Sequence, residues 1–82
     1  MFYVYILKSL IFGRYYIGSC DNIEKRLFLH NGGKVKSTKA FTPWKLMKQE
    51  EFMTRKEAII RERRLKSWKS RTAIERLIAE HF

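Results

Sequence analysis

The start of the chain alternates apolar runs with a short turn, which is the pattern of a β-hairpin. Residues 2–7 are β-branched or aromatic with no polar break, and this predicts a strand buried on both faces. Residues 14–18 predict a second strand, antiparallel to the first. Because side chains alternate along a strand, Tyr5 and Tyr16 are expected to face the same side, with their phenols close together if the register matches. Gly18 shares that face with Tyr16.

The rest of the chain carries helical signals around one weaker strand. They predict a helix from Asp21 or Asn22 to His30, a loop over 34–43, a strand over 45–52, a helix from a capping box at 54–57 to about Trp68, and a closing helix from a second capping box at 72–75. The predicted order is ββαβαα. This is a small α/β fold in which a three-stranded sheet, containing an antiparallel hairpin, is flanked by helices.

Length and composition predict one folded domain over residues 1–82. A chain of 82 residues buries only about 60–65% of the surface that its unfolded form exposes, which leaves room for one small core. At 45% hydrophobic residues, the chain is too apolar to be a disordered basic tail. Its longest apolar run, residues 1–7, is too short to cross a membrane and lacks the leading positive charge of a signal peptide. We therefore expect a cytoplasmic protein with no targeting segment and no membrane contact.

The scarcity of three residue types excludes several kinds of chemistry. Cys20, His30 and His81 are too few for a four-ligand zinc site, and a single cysteine forms no internal disulfide. The only aspartate is Asp21. A nuclease with clustered aspartates around two metals, or a Ser-His-Asp triad, would therefore need acids from scattered glutamates. No glycine-rich nucleotide-binding loop is present.

The net charge of +10 is distributed over the whole chain. Residues 1–41 carry seven basic and two acidic side chains, and residues 42–82 carry eleven and six. The excess thus belongs to the folded body, which favours a basic face over a basic tail. Such a face is typical of nucleic-acid binding, because it displaces the counterions of phosphates. Ordinary solubility and binding to an anionic membrane are the alternatives that charge alone leaves open.

Three charged or titratable residues fall on or beside apolar helix stripes. Glu62 projects into the stripe that contains Ala58 and Leu65, where a carboxylate is costly unless it is paired with an arginine or bound to a cation. Arg26 and His30 are i,i+4 neighbours at the edge of the first helix's stripe. The fork of an arginine suits a phosphate, and a histidine can pass a proton or hydrogen-bond a leaving oxygen. A purely structural role for His30 is the alternative.

A series of short motifs in compatible order resembles the GIY-YIG nuclease domain. The motifs are Tyr3-Val4-Tyr5, Tyr16-Ile17-Gly18, Arg26-x-x-x-His30 and Ala58-Ile59-Ile60-Arg61-Glu62. The resemblance covers nearly the whole chain. It is greatest to the small single-domain bacterial branch, which is similar to the catalytic subunit of structure-selective junction endonucleases.

The resemblance implies a metal-dependent DNA endonuclease that hydrolyses phosphodiester bonds. Glu62 would be the ligand of a single Mg²⁺ or Mn²⁺. Tyr16 would accept a proton from the attacking water or position it, with Tyr5 supporting it by a hydrogen bond. Arg26 would stabilise the charge that develops on the scissile phosphate, and His30 would assist proton movement at the attacking side.

The same resemblance implies where nucleic acid is bound. Gly18 would let the DNA backbone approach the sheet. The expected phosphate contacts are the loop lysines and the basic strip over residues 55–71, namely Lys34, Lys36 and Lys39 in the loop and Arg61 within the strip. Contacts of this kind do not read sequence. We therefore expect little base specificity, a branched or damaged DNA substrate, and a protein partner that supplies further DNA specificity.

Two departures from the family pattern keep a second hypothesis open. Ser19 stands where many members carry a lysine directly after the second motif, and no asparagine follows Asn31. Each departure removes a residue that would contact phosphate or tune a proton transfer. The alternative function is a nucleic-acid-binding module of the same fold without catalysis.

Overall fold

The predicted hairpin is part of a three-stranded antiparallel sheet. In the computed structural model, which describes residues 1–80, β1 (Phe2–Ser9) pairs with β2 (Tyr15–Cys20), and Tyr5 lies directly opposite Gly18. β3 (Trp44–Phe52) pairs antiparallel with the other side of β1. The strand order is therefore β2-β1-β3, with β1 in the centre. A central strand covered on both faces explains the unbroken apolar run at the start of the sequence.

The first two helices begin where their capping residues predict. The side chain of Asn22 caps α1 (Ile23–Asn31) by accepting a backbone hydrogen bond from its first turn. Thr54 and Glu57 form the predicted reciprocal capping box at the start of α2 (Arg55–Ser67). Both boundaries were therefore set by local side-chain chemistry that the sequence displays.

The last helix begins two residues earlier than the sequence predicts. α3 (Arg71–Ala79) is capped by Ser70, whose Oγ accepts a hydrogen bond from the backbone N–H of Ala73. The predicted capping box at 72–75 is wrong, because a serine caps at least as well as a threonine and here leaves Thr72 inside the helix. No helix of residues 1–80 is long and apolar enough to cross a membrane. His81, one of the two histidines counted above, lies outside the described residues.

The sheet separates two apolar clusters. One face packs against α2 and α3, and the other packs against α1 and the loop that follows it. The buried members of the first cluster are Val4, Ile6, Ile17, Ala58, Leu65, Ile74 and Leu77. The buried members of the second are Tyr5, Leu7, Cys20 and Trp44. The predicted α/β class and the order ββαβαα are confirmed.

β2 is the strand around which side chains from the two faces of the sheet come close to each other. In the described sheet, β2 pairs only with β1, so its outer side is an open edge. Tyr16 packs on the α1 face, whereas Ile17 packs on the α2 face and Ser19 bonds to a side chain of α2. Side chains from opposite faces can therefore meet around this edge.

Candidate active site

Tyr5 lies at the centre of the polar residues on the α1 face. It is 1% exposed, and its hydroxyl lies 3.0 Å from Nε2 of His30. Its ring crosses over Gly18: a Cβ placed on that glycine would lie 2.5 Å from the Tyr5 Oη. Only glycine leaves enough space for the phenol to reach the histidine.

His30 is fully buried, and both of its ring nitrogens have partners. Nδ1 lies 2.8 Å from Oγ1 of Thr38, and that hydroxyl in turn donates to the carbonyl of Val35 at 3.3 Å. Since the Thr38 proton is used on the carbonyl, Nδ1 is the donor to Thr38. Burial, assisted by the charge of Arg26, lowers the pKa of His30. The ring is therefore neutral at pH 7, and its Nε2 accepts the proton of Tyr5.

Arg26 completes the group around the Tyr5 hydroxyl. Its interaction with that hydroxyl raises the pKa of the guanidinium, although burial acts in the opposite direction. The Arg26 Nε is buried and has no hydrogen-bond partner within the described residues. A buried charged donor without a partner is costly, and an oxyanion such as a phosphate would supply the missing acceptor.

Tyr16 is the more accessible of the two tyrosines. Its ring centroid lies 6.3 Å from that of Tyr5 and 4.9 Å from that of His30, which confirms the predicted proximity of the two phenols. The ring is half-buried, and its hydroxyl makes no hydrogen bond to any residue of 1–80. By contrast, burial raises the pKa of Tyr5 to about 12. The expected hydrogen bond from Tyr5 to Tyr16 is therefore wrong, because the Tyr5 hydroxyl bonds His30 instead. Tyr16 is the phenol that a water molecule or a substrate can reach.

Glu62 approaches the same edge of the sheet from the α2 face. Its Oε1 accepts from the Ser19 hydroxyl at 2.5 Å, and its Oε2 accepts from the Lys66 ammonium at 2.6 Å. The Glu62 side chain is 19% exposed, as its place on the apolar stripe predicts. Burial would raise the pKa of this carboxyl, but the bonds from Lys66 and Ser19 outweigh burial and lower it. The partner of Glu62 is thus a lysine, where the sequence suggested an arginine.

Lys66 connects Glu62 to the tyrosines. While its Nζ bonds the carboxylate, it also lies 5.9 Å from the ring centroid of Tyr16. The structure therefore brings Tyr5, Tyr16, Arg26 and His30 together on one face and joins Glu62 to them around the open edge of β2.

Sequence reasoning missed three residues of this arrangement. Thr38 orients His30 from a loop, and its partner could not be inferred without the fold. Ser19 was seen only as a departure from the family. The alternation of side chains along β2 places it on the opposite face of the sheet from Tyr16, the face on which Glu62 lies. The spacing of Glu62 and Lys66, which is i,i+4, was the signal that could have identified the ion pair.

Two of the expected nucleic-acid contacts have other functions in the structure. The space above Gly18, expected to admit a DNA backbone, is filled by the Tyr5 phenol. Arg61, expected to bind phosphate, forms a two-pronged ion pair with Glu50, with Nε to Oε1 at 2.7 Å and Nη2 to Oε2 at 3.0 Å. It ties α2 to β3 instead. The expected loop lysines are exposed and make no ion pair within residues 1–80. These lysines are Lys34, Lys36 and Lys39.

The sequence profile of the GIY-YIG catalytic domain matches residues 1–76. The chain belongs to the GIY-YIG family. It is similar to UPF0213 proteins of Staphylococcus saprophyticus (42% identity, covering 95% of this chain and 94% of that protein) and Bacillus licheniformis (46% identity, covering 95% and 79%). The solution NMR structure of a UPF0213 protein from Bacillus halodurans is also similar, with a TM-score of 0.59 at 32% identity, covering 96% of this chain and 84% of that one. GIY-YIG domains are typically nucleases, so family membership implies a nuclease function in general.

GIY-YIG nucleases typically use a divalent metal, and Glu62 is the side chain that fits this use. In residues 1–80, no group of three or more histidine, cysteine, aspartate or glutamate side chains is placed to hold an ion. Mg²⁺ does not need such a group, since it often keeps several waters and binds through one or two carboxylates together with substrate phosphates. A single half-buried carboxylate suits that chemistry, provided that the ammonium of Lys66 moves off Oε2. Lys66 is 50% exposed, so its side chain can turn into water.

Proposed function

We propose that the protein is a metal-dependent DNA endonuclease with little base specificity. The main support is that three groups lie near the open edge of β2. They are the Glu62 carboxylate, the accessible Tyr16 phenol and the Arg26 guanidinium, whose Nε has no partner within residues 1–80. Each matches one requirement of phosphodiester hydrolysis: a metal ligand, a group that positions the attacking water, and a donor for the phosphate.

Tyr16 is the residue that we assign to the attacking water. Its hydroxyl is unbonded within residues 1–80, whereas the Tyr5 hydroxyl is committed to His30. Tyr16 would hold the attacking water by a hydrogen bond, and the proton that the water loses would go to solvent, since no hydrogen bond within residues 1–80 leads from Tyr16 to Tyr5 or His30. Since His30 is fully buried, its contribution acts through Tyr5, and we assign it to positioning and not to substrate contact.

Arg26 and Glu62 would act on the phosphate from two sides. The unpartnered Nε of Arg26 is a ready donor to a phosphate oxygen, where it would stabilise the charge of the transition state. A Mg²⁺ or Mn²⁺ held at Glu62 would supply Lewis-acid stabilisation at the oxygens that gain charge. Ser19 would keep Oε1 of the Glu62 carboxylate oriented both when Lys66 is bonded to it and when a metal ion is bound.

The experiment is plasmid nicking by the purified protein with Mn²⁺ or with EDTA. Supercoiled plasmid, branched DNA and single strands are compared as substrates. We expect cleavage only with metal, and a loss of roughly 100-fold or more in Glu62→Gln and Tyr16→Phe, because each removes a group that acts in the transition state. Matched controls are Glu51→Gln, an exposed acid on β3, and Tyr3→Phe, on the same strand as Tyr5. Undiminished cleavage by either site variant would refute the assignment.

A second function is favoured by one observation. The carboxylate of Glu62 is already neutralised by Lys66 at 2.6 Å, which is the state expected of a structural ion pair. A non-catalytic nucleic-acid-binding module of this fold would need no more than this. DNA binding without metal-dependent nicking in any of the three substrates would favour the module.

The branched-DNA preference and a protein partner that adds DNA specificity belong to the endonuclease proposal and are tested by the same substrate comparison with and without cell extract.

A further inference from the structure

A groove runs away from the candidate site along β2. It has a volume of about 460 Å³ and lies between β2 and the junction of α2 with α3. Its lining includes Tyr16, the accessible phenol, and Lys66, whose ammonium bonds the Glu62 carboxylate. Its other polar lining residues are Arg14, Tyr15, Lys69, Ser70 and Arg71.

The charged side chains that line this groove are all basic, and two of them pair with carboxylates outside the lining, Lys66 with Glu62 and Arg71 with Glu75. Four of the lining side chains are cations, and no carboxylate is found among the described residues that line it. The groove on the opposite side of the hairpin has the reverse character, since Asp21 and Glu24 line it and no cation does. The two grooves therefore differ in the sign of the charged side chains that line them.

The cations of the groove differ in how far they are committed to the protein. Arg71 is fixed, because its Nη1 donates to the Gly13 carbonyl at 2.7 Å and its guanidinium stacks on Tyr15 at 5.0 Å. It holds the start of α3 against the hairpin loop, so the wall of the groove is firm. Lys69 is exposed and has no ion pair within residues 1–80. Arg14 is exposed and stacks on Phe41, at 4.3 Å from the ring, which leaves its N–H groups free for a ligand.

We propose that this groove binds the phosphodiester backbone of the DNA strand on one side of the scissile phosphate. The inference rests on the proposed endonuclease function, because it takes Tyr16 and Glu62 as the point of cleavage. Four cations in one groove beside that point suit a ligand that carries several negative charges, and a single bound phosphate would use only part of them. Lys69 and Arg14 are the residues assigned to the flanking phosphates.

The test is DNA binding in EDTA, measured by fluorescence anisotropy over a range of salt concentrations. The protein is the full chain, and the probe is a labelled single strand or duplex. Replacing both uncommitted cations, in Arg14→Gln/Lys69→Gln, should weaken binding roughly tenfold or more and make the slope of log K against log salt shallower by about two. Lys69→Arg in place of Lys69→Gln should restore about half of the lost slope, since it returns one of the two charges.

The matched control removes the same charge away from the groove. Lys25 on α1 and Lys45 on β3 are exposed and do not line it, so Lys25→Gln/Lys45→Gln should leave the salt slope nearly unchanged. Equal weakening by the groove and control variants would overturn the proposal, and so would an absence of DNA binding by the unmodified protein. Phosphatidylserine vesicles serve as competitors: displacement of DNA at equal phosphate concentration would show a general anionic surface and would also overturn it.

Binding in EDTA separates the groove from the nuclease. If the groove variants lose affinity for DNA while no substrate is ever cleaved, the proposed endonuclease function is wrong and DNA binding in the groove is supported. If the protein cleaves DNA and the groove variants bind and cleave as well as the control, the groove is wrong and the endonuclease stands.

Discussion

At Gly18, a missing side chain decides the geometry of the whole polar cluster. An alanine Cβ there would lie 2.5 Å from Oη and 2.6 Å from Cζ of Tyr5, whose phenol is buried and bonded to His30. We expect Gly18→Ala to lower the free energy of unfolding by about 1–3 kcal/mol, because overpacking forces a buried side chain from its place. Urea denaturation of the purified variant measures this directly.

A double-mutant cycle identifies the phenol as the cause of the Gly18 effect. Tyr5→Leu removes both atoms that the new methyl group would strike. If the clash is with Tyr5, adding Gly18→Ala to Tyr5→Leu should cost much less than adding it to the unmodified protein. Equal costs in the two backgrounds would mean that the glycine is needed for the strand backbone itself.

At the scale of single elements, the sequence predicted most of the fold and less of the site. Caps and apolar runs are local signals, and they placed β1, β2, α1 and α2 within a few residues of their observed bounds. The contacts of the site are not local. The bond between Ser19 and Glu62 joins residues 43 apart in sequence, and the commitment of Arg61 to Glu50 depends on how α2 lies against β3. Such pairings follow from packing, which the residue pattern alone did not resolve.

The start of α3 gives a test of which residue caps this helix. Ser70→Ala removes the acceptor of the Ala73 N–H and should lower the free energy of unfolding by about 1 kcal/mol. Thr72→Ala, in the first turn of the helix, should change stability little or raise it slightly, since alanine has the higher helix propensity. Thermal or urea denaturation of both variants measures the difference. If Thr72→Ala were the more destabilising of the two variants, Thr72 would be the N-cap, as the sequence alone predicted.

At the scale of the whole molecule, His30 couples three parts of the chain. It lies on α1, bonds Tyr5 of the central strand and bonds Thr38 of the loop, so its protonation acts on global stability. Loss of this side chain in His30→Ala would leave two buried partners unsatisfied. We expect such a variant to be destabilised by about 2–5 kcal/mol.

The pH dependence of stability follows from the direction of the His30 pKa. The folded pKa lies below 6.5, the value for an unperturbed histidine, so between the two values the unfolded chain binds more protons than the folded one. Stability is therefore fully present above about pH 6.5 and falls as the pH drops from there toward the folded pKa. Urea denaturation at several pH values should show this fall in the unmodified protein and a smaller one in His30→Gln. Since both proteins keep His81 and every carboxylate, the difference between their curves belongs to His30, and parallel curves would contradict its burial in the neutral form.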